Sequence, residues 1–359
     1  MNLFSKLFKQ STQKDKVSTK LDRIAVQAGE FIMGSTTEQV WEFFQNAGGL
    51  VNTGSFDCER PQHRVYLDAF EIDKYPVTCE KYAKFSSTTG HPTPQYWKGN
   101  TPPKELLNHP VVEVSLRDAM AYCSWAGGRM PYETEWEKAA RGTDGRIYSW
   151  GNEFDPSKSN SDKHDKEYKT QPVDAHPEGA SPYGCMDMIG NVREWTSDVI
   201  TPYPGYAAEN WSTDSGGLKL TRYDHYGAKG NPVFWPNQSS VRGGGFETLR
   251  GYCRCSSRLP VPGDALLPYV GFRCVYAPDP NETGMQLLKK GRFNEAIRHF
   301  EKALQLSPVH AGILFNAAYC YQSAKQFKPA IELWEKLLES WPDDADASQM
   351  LQQCRQSMR

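Results

Sequence analysis

Residues 184 to 198 constrain the fold more than any other stretch: Gly-Cys-Met-Asp-Met-Ile-Gly-Asn-Val-Arg-Glu-Trp-Thr-Ser-Asp. Glycines interrupt it too often for a long helix, and it is too apolar for a free loop. It nevertheless sets Asp187, Asn191, Glu194 and Asp198 among residues of the buried kind. A buried charge without a partner costs several kcal/mol, so these carboxylates need either a hard cation with oxygen ligands or arginine. Main-chain carbonyls freed by the irregular path suit a calcium shell and a hydrogen-bonded turn equally, and both readings stay open here.

The block Asp-Met-Ile-Gly-Asn-Val-Arg-Glu-Trp-Thr-Ser-Asp resembles the signature of the formylglycine-generating enzyme (sulfatase-modifying factor) family. Four more blocks match in the family's order: Gly29 to Gly34, His109 to Ser115, Trp125 to Gly142, and Val241-Arg-Gly-Gly-Gly245 with Gly271-Phe-Arg-Cys274. The resemblance implies an α+β architecture, the irregular C-type-lectin-like sulfatase-modifying-factor fold, over residues 24–276.

Composition agrees with a globular chain of about two domains: 359 residues, net charge −2, 38% hydrophobic. No basic excess suggests a nucleic-acid partner, and no run approaches the roughly 18 apolar residues of a membrane span. Residues 1–23 carry six Lys or Arg and two Asp. We read them as a flexible basic leader, either a solvated tail or a short amphipathic contact. They lack the apolar core of a signal peptide, so the expected location is cytoplasmic. Nine cysteines without regular spacing argue for reduced thiols.

Alternation over residues 24–34 predicts one strand, and residues 59–73 a second. Helical spacing predicts a helix over residues 38–47, one capped by Thr78, one starting at Ser115 and ended by Gly127-Gly128, and one from Glu133 to Ala140. Glu133, Glu135 and Glu137 are read as first-turn charges that favour the helix electrostatically. His63 is read as a satisfied surface histidine. The aromatic stretch over residues 199–240, with Tyr203, Tyr206, Trp211, Tyr223, Tyr226, Phe234 and Trp235, is expected to roof a groove. Residues 252–258 and 270–275 are read as strands.

The resemblance also implies sites. A first calcium site maps to Asn160, with Asp165 a further candidate. A second takes the side chains of Asp187 and Glu194 and the carbonyls of Gly190 and Val192. In catalytic members the last Gly of the Val-Arg-Gly-Gly-Gly motif is a serine and two cysteines follow, whose thiolates bind copper(I) and activate oxygen to oxidise a substrate cysteine. Those positions fall here on Gly245, Thr248 and Cys253, while a family tryptophan falls on Arg193 and an asparagine on Tyr269. Tyr252, Cys253 and Arg258 are the retained catalytic candidates. One thiolate cannot make a two-cysteine copper site, so copper is disfavoured unless Cys255, two residues along the same strand, supplies the second sulfur. The His-x-x-x-His-x-Glu motif of the related iron-dependent sulfoxide synthases is absent from the sequence.

After a linker at residues 277–281, a 34-residue period pairs Phe293 with Phe327, Ala296 with Ala330, Phe300 with Trp334, Ala303 with Leu337 and Pro308 with Pro342. It resembles the tetratricopeptide repeat, giving an all-α segment over residues 282–359 of about two repeats. So few units are expected to lean on the larger domain or on a partner. Two functions follow: an accessory factor binding a protein or peptide through its groove and repeats, or an oxidoreductase with a rebuilt pocket.

Overall fold

Short strands and long connections cannot bury a large apolar sheet face, so the first domain needs polar ties as well as a core. The computed structural model describes residues 22–46, 58–161, 169–206 and 238–358. The 24–34 alternation forms two strands, β1 (Arg23–Val26) and β2 (Gly29–Met33), because Gly29 at φ 142° turns the chain between them. Likewise residues 59–73 divide into β3 (His63–Leu67) and β4 (Phe70–Asp73). β2 pairs antiparallel with β3, and β4 lies between β1 and β9 (Val275–Tyr276).

The predicted helices are present. They are α1 (Thr37–Asn46), α2 (Cys79–Thr89), α3 (Leu116–Trp125) and α4 (Glu133–Arg141). Thr78 accepts from the Lys81 amide, and Ser115 with Asp118 closes a capping box. A second sheet runs β7 (Arg258–Pro262), β6 (Gln238–Arg242), β5 (Arg193–Val199), β8 (Val270–Gly271), with β8 parallel to β5.

Two apolar clusters fill the domain. One gathers Tyr82, Tyr122, Trp195 and Phe272, the other Phe31, Trp136, Met188, Cys253 and Cys255. Between them run buried arginine–glutamate pairs joining residues far apart in sequence. Arg254 holds Glu59 at 2.5 and 2.7 Å, Arg273 holds Glu194 at 2.6 and 2.7 Å, and Arg242 bridges Glu133 and Glu137. Glu137 also accepts from Arg141 and from the Gly34 amide. The α4 glutamates are therefore core ion pairs, which corrects the reading that they serve only the helix dipole. Burial raises the carboxyl of Glu133, but Arg258 and Arg242 outweigh it and hold the group below its ordinary range.

The C-terminal segment comprises α5 (Pro280–Lys289), α6 (Phe293–Leu306), α7 (Ala311–Ser323), α8 (Phe327–Ser340) and α9 (Ala345–Ser357). α6 and α8 start 34 residues apart, and the paired positions Ala296, Phe300 and Ala303, Ala330, Trp334 and Leu337 are all buried. These helices lean on the first domain. Thr134 Oγ1 donates to Leu306 O at 3.0 Å, Tyr132 donates to Asp279 at 3.2 Å, and Tyr132 packs with Ala303 and Ile313.

Candidate functional site

The 184–198 stretch enters the core through a tight turn and leaves it as β5. Asp187, Gly190 and Asn191 have φ of 54°, 82° and 61°, all left-handed. Gly190 is required, since a Cβ there would stand 2.9 Å from Asn160 O. Asn160 clamps the turn: its carbonyl accepts from the Asn191 amide at 2.9 Å and its side chain donates to Asn191 Oδ1 at 3.2 Å. It therefore supports the Asp187 turn. The second expected ligand of its own site, Asp165, lies outside the described residues, as does most of the expected aromatic roof: Trp211, Tyr223, Tyr226, Phe234 and Trp235.

Asp187 and Glu194 resolve the open choice between cation and arginine differently. Glu194 is fully buried, and three hydrogen bonds reach its carboxylate: two from Arg273 and one from Trp136 Nε1 at 2.8 Å. Since a carboxylate offers about four acceptor positions, at most one remains for a cation. Asp187 instead accepts from a neutral amide, Asn191 Nδ2 at 2.8 Å, and burial pushes its carboxyl up to about 7. A buried carboxylate so poorly compensated fits a cation. Among the described residues no group of three or more His, Cys, Asp or Glu side chains gathers, so any shell here would be mostly main-chain oxygen.

Around the expected copper position the departures from the family pattern touch one another. Thr248 Oγ1 accepts from Arg193 Nη2 at 3.1 Å and from the Gly245 amide at 2.8 Å, and donates to Glu247 Oε1 at 2.7 Å. Those three bonds use the full capacity of a hydroxyl. Arg193 Nε completes the ring by donating to Glu247 Oε1 at 3.1 Å. A Cβ at Gly245 would meet Glu247 Oε2, so a larger residue there would require the Glu247 side chain to move. The coordinated departure of Arg193, Gly245 and Thr248 was visible in the sequence; Glu247, which joins them, was not singled out.

The retained candidates separate. Residues 252–258 are not a strand: Arg250–Tyr252 forms a 3-10 turn and β7 begins only at Arg258. The same-face argument for Cys253 and Cys255 therefore lapses. Cys253 is buried with Sγ 3.5 Å from Thr248 O. Cys255 sits in the core, where burial pushes its thiol up to about 12. Tyr252 is half-buried, its phenol pushed up to about 12 by burial. Arg258 faces away from this ring. It grips Glu133 at 2.6 and 2.8 Å and donates to the Cys58 and Thr201 carbonyls, a structural placement that corrects its assignment as a catalytic candidate. These residues do not fit a two-thiolate copper centre.

His63 Nδ1 lies 2.8 Å from Pro61 O, and the ring is half-buried against Tyr203. No helix among the described residues is long and apolar enough to cross a membrane.

The chain is similar in sequence and fold to known proteins. The chain is 29% identical over 309 residues to the formylglycine-generating enzyme of Mus musculus, covering 70% of this chain and 74% of that protein. It is 28% identical over 300 residues to the formylglycine-generating enzyme of Mycobacterium tuberculosis, covering 64% and 96%. Hercynine oxygenase of the same bacterium is 34% identical over 184 residues, 42% of this chain and 43% of that protein. PvdO from Pseudomonas aeruginosa shares the fold at a TM-score of 0.50 and 23% identity, over 70% of this chain and 93% of that one. Residues 287–354 match the tetratricopeptide repeat. Residues 8–278 match the sulfatase-modifying factor enzyme 1-like domain, and the chain belongs to that family.

Proposed function

We propose that this chain is a binding or accessory factor built on the formylglycine-generating scaffold, with the repeats docking a protein or peptide partner. The observation that carries the reading is Thr248, whose hydroxyl is spent on Arg193, Gly245 and Glu247 at the place of a copper thiolate. Buried Arg193 and part-exposed Glu247 there hold the 245–248 turn in shape and put a charge pair in place of a soft-metal pocket. Tetratricopeptide repeats commonly bind proteins, which supports the docking role. Nine cysteines scattered without regular spacing support a reducing, cytoplasmic setting.

Calcium enters this proposal as a structural ion. Asp187 would hold it with the Gly190 and Val192 carbonyls and the remaining acceptor position of Glu194. It would supply positive charge to a buried carboxylate and no chemistry.

A second reading, an oxidoreductase acting on a protein side chain or small metabolite, is supported by the relatives' names and by the retained Cys253. One assay separates the two. The full chain is incubated with copper(I), oxygen and a cysteine peptide of sulfatase type, and the peptide mass is followed. We expect no mass change with the wild type or with Thr248→Cys, because the new thiol would still face Arg193 and Glu247. Turnover that Cys253→Ala abolishes would establish the oxidoreductase instead.

A further inference from the structure

Where the repeats meet the larger domain they leave a cavity of about 470 Å3, within the size range of small-molecule sites. It lies apart from the Arg193–Thr248 ring. Both bodies build it: Met33, Val65 and Pro202 on one side, Leu306, Pro308 and Val309 on the other give it an apolar body. Of the carboxylates in its lining, Glu30 and Glu133 each have an arginine beside them. Glu30 stands 3.6 Å from Arg64 at the exposed rim. At the buried end Glu133 holds Arg258, and Arg258 also lies 4.2 Å over the Tyr203 ring.

Asp198 is the remainder. It is 4% exposed, and its hydrogen bonds come from neutral donors, the Glu133 amide at 2.6 Å and the Ser307 hydroxyl. Burial and the Glu133 charge push its carboxyl up to about 7, and Arg258, already paired with Glu133, offsets this only in part. The α4 N-terminus it caps supplies partial positive charge but no cation. His63, also in the wall, turns Nδ1 to Pro61 O at 2.8 Å and makes no hydrogen bond to Asp198 in the cavity wall.

We propose that this seam binds a small organic ammonium, a protonated amine on a compact apolar or aromatic body. The ammonium sits against Asp198 and the body against the aliphatic walls. Anions are rejected by Asp198 and Glu133, and a neutral ligand leaves Asp198 uncompensated. Since residues 305–309 form one wall, occupancy also fastens the repeats to the first domain.

The probe is 2-phenylethylamine titrated into the full chain by calorimetry at mildly alkaline pH, with 2-phenylethanol as its neutral counterpart. The amine should bind at least about tenfold more tightly than the alcohol, and Asp198→Asn should erase that preference while leaving the circular dichroism unchanged. Equal affinities, no amine binding at millimolar concentration, or an undiminished preference in Asp198→Asn would each overturn the proposal. Should Asp198→Asn fail to fold, hydrogen exchange on the wild type decides. The amine must slow exchange at residues 305–309 more than the alcohol does, and equal protection overturns the assignment.

Discussion

Arg258 illustrates how residue identity and residue role come apart. Its motif position suggests chemistry, yet its guanidinium is buried on Glu133 and two carbonyls. Removing one partner of a buried pair leaves the other charged and dry, so Arg258→Ala should destabilise the chain by about 3–5 kcal/mol. Chemical denaturation measures this, and an unchanged midpoint would return Arg258 to the list of catalytic candidates. Asp187 carries the opposite expectation, sensitivity to a ligand. Calcium binding only the folded state raises the midpoint by mass action, so chelator should lower the wild-type melting temperature and leave Asp187→Asn almost unaffected. A wild-type midpoint that chelator does not move would leave the turn to Asn191 and Asn160 alone.

At the level of elements, capping and periodicity made the helices readable, and the buried charge network was what escaped. Thr78 and Ser115 announce α2 and α3 locally, through hydrogen bonds closed within three residues. Glu133, Glu137 and Arg141 recur at four-residue spacing, a one-face pattern that could have signalled an inward charged stripe, but their partners Arg242 and Arg258 lie more than a hundred residues away. Strand lengths were misjudged for a related reason. Bends at Gly29 and between β3 and β4 serve long-range pairing that no local pattern records. Within the repeats, one contact gives a quantitative test. A Cβ on Gly284 of α5 would stand 2.8 Å from the buried Phe300 ring. Alanine gains about 1 kcal/mol of helix propensity, whereas overpacking costs about 1–3 kcal/mol. Gly284→Ala should therefore be net destabilising by about 1 kcal/mol, and Phe300→Leu in the same chain should recover part of the loss. A more stable Gly284→Ala would mean that α5 shifts freely on α6.

For the whole molecule, the question is whether domain and repeats stand independently. Among the described residues the two apolar clusters of the first domain are almost wholly its own, with Leu306 the one repeat residue packed on either. The helices have less autonomy, since about two repeats fall short of the three usually needed. Their seam adds the Thr134–Leu306 and Tyr132–Asp279 hydrogen bonds, the Tyr132–Ala303–Ile313 cluster and an exposed Lys302–Asp68 pair. The exposed pair contributes little, so the apolar contacts and the bonds to α4 dominate. Deleting residues 280–358 should leave the first domain folded but expose Tyr132 and take Ser307 from Asp198. Each kcal/mol lost is worth about 2–4 °C in a domain of this size, and a fall of several degrees is expected by calorimetry. The isolated helices should show weak, non-cooperative melting. Two unchanged, cooperative transitions for the separated parts would show that the seam is incidental, and the repeats would then be free to reorient when they dock a partner.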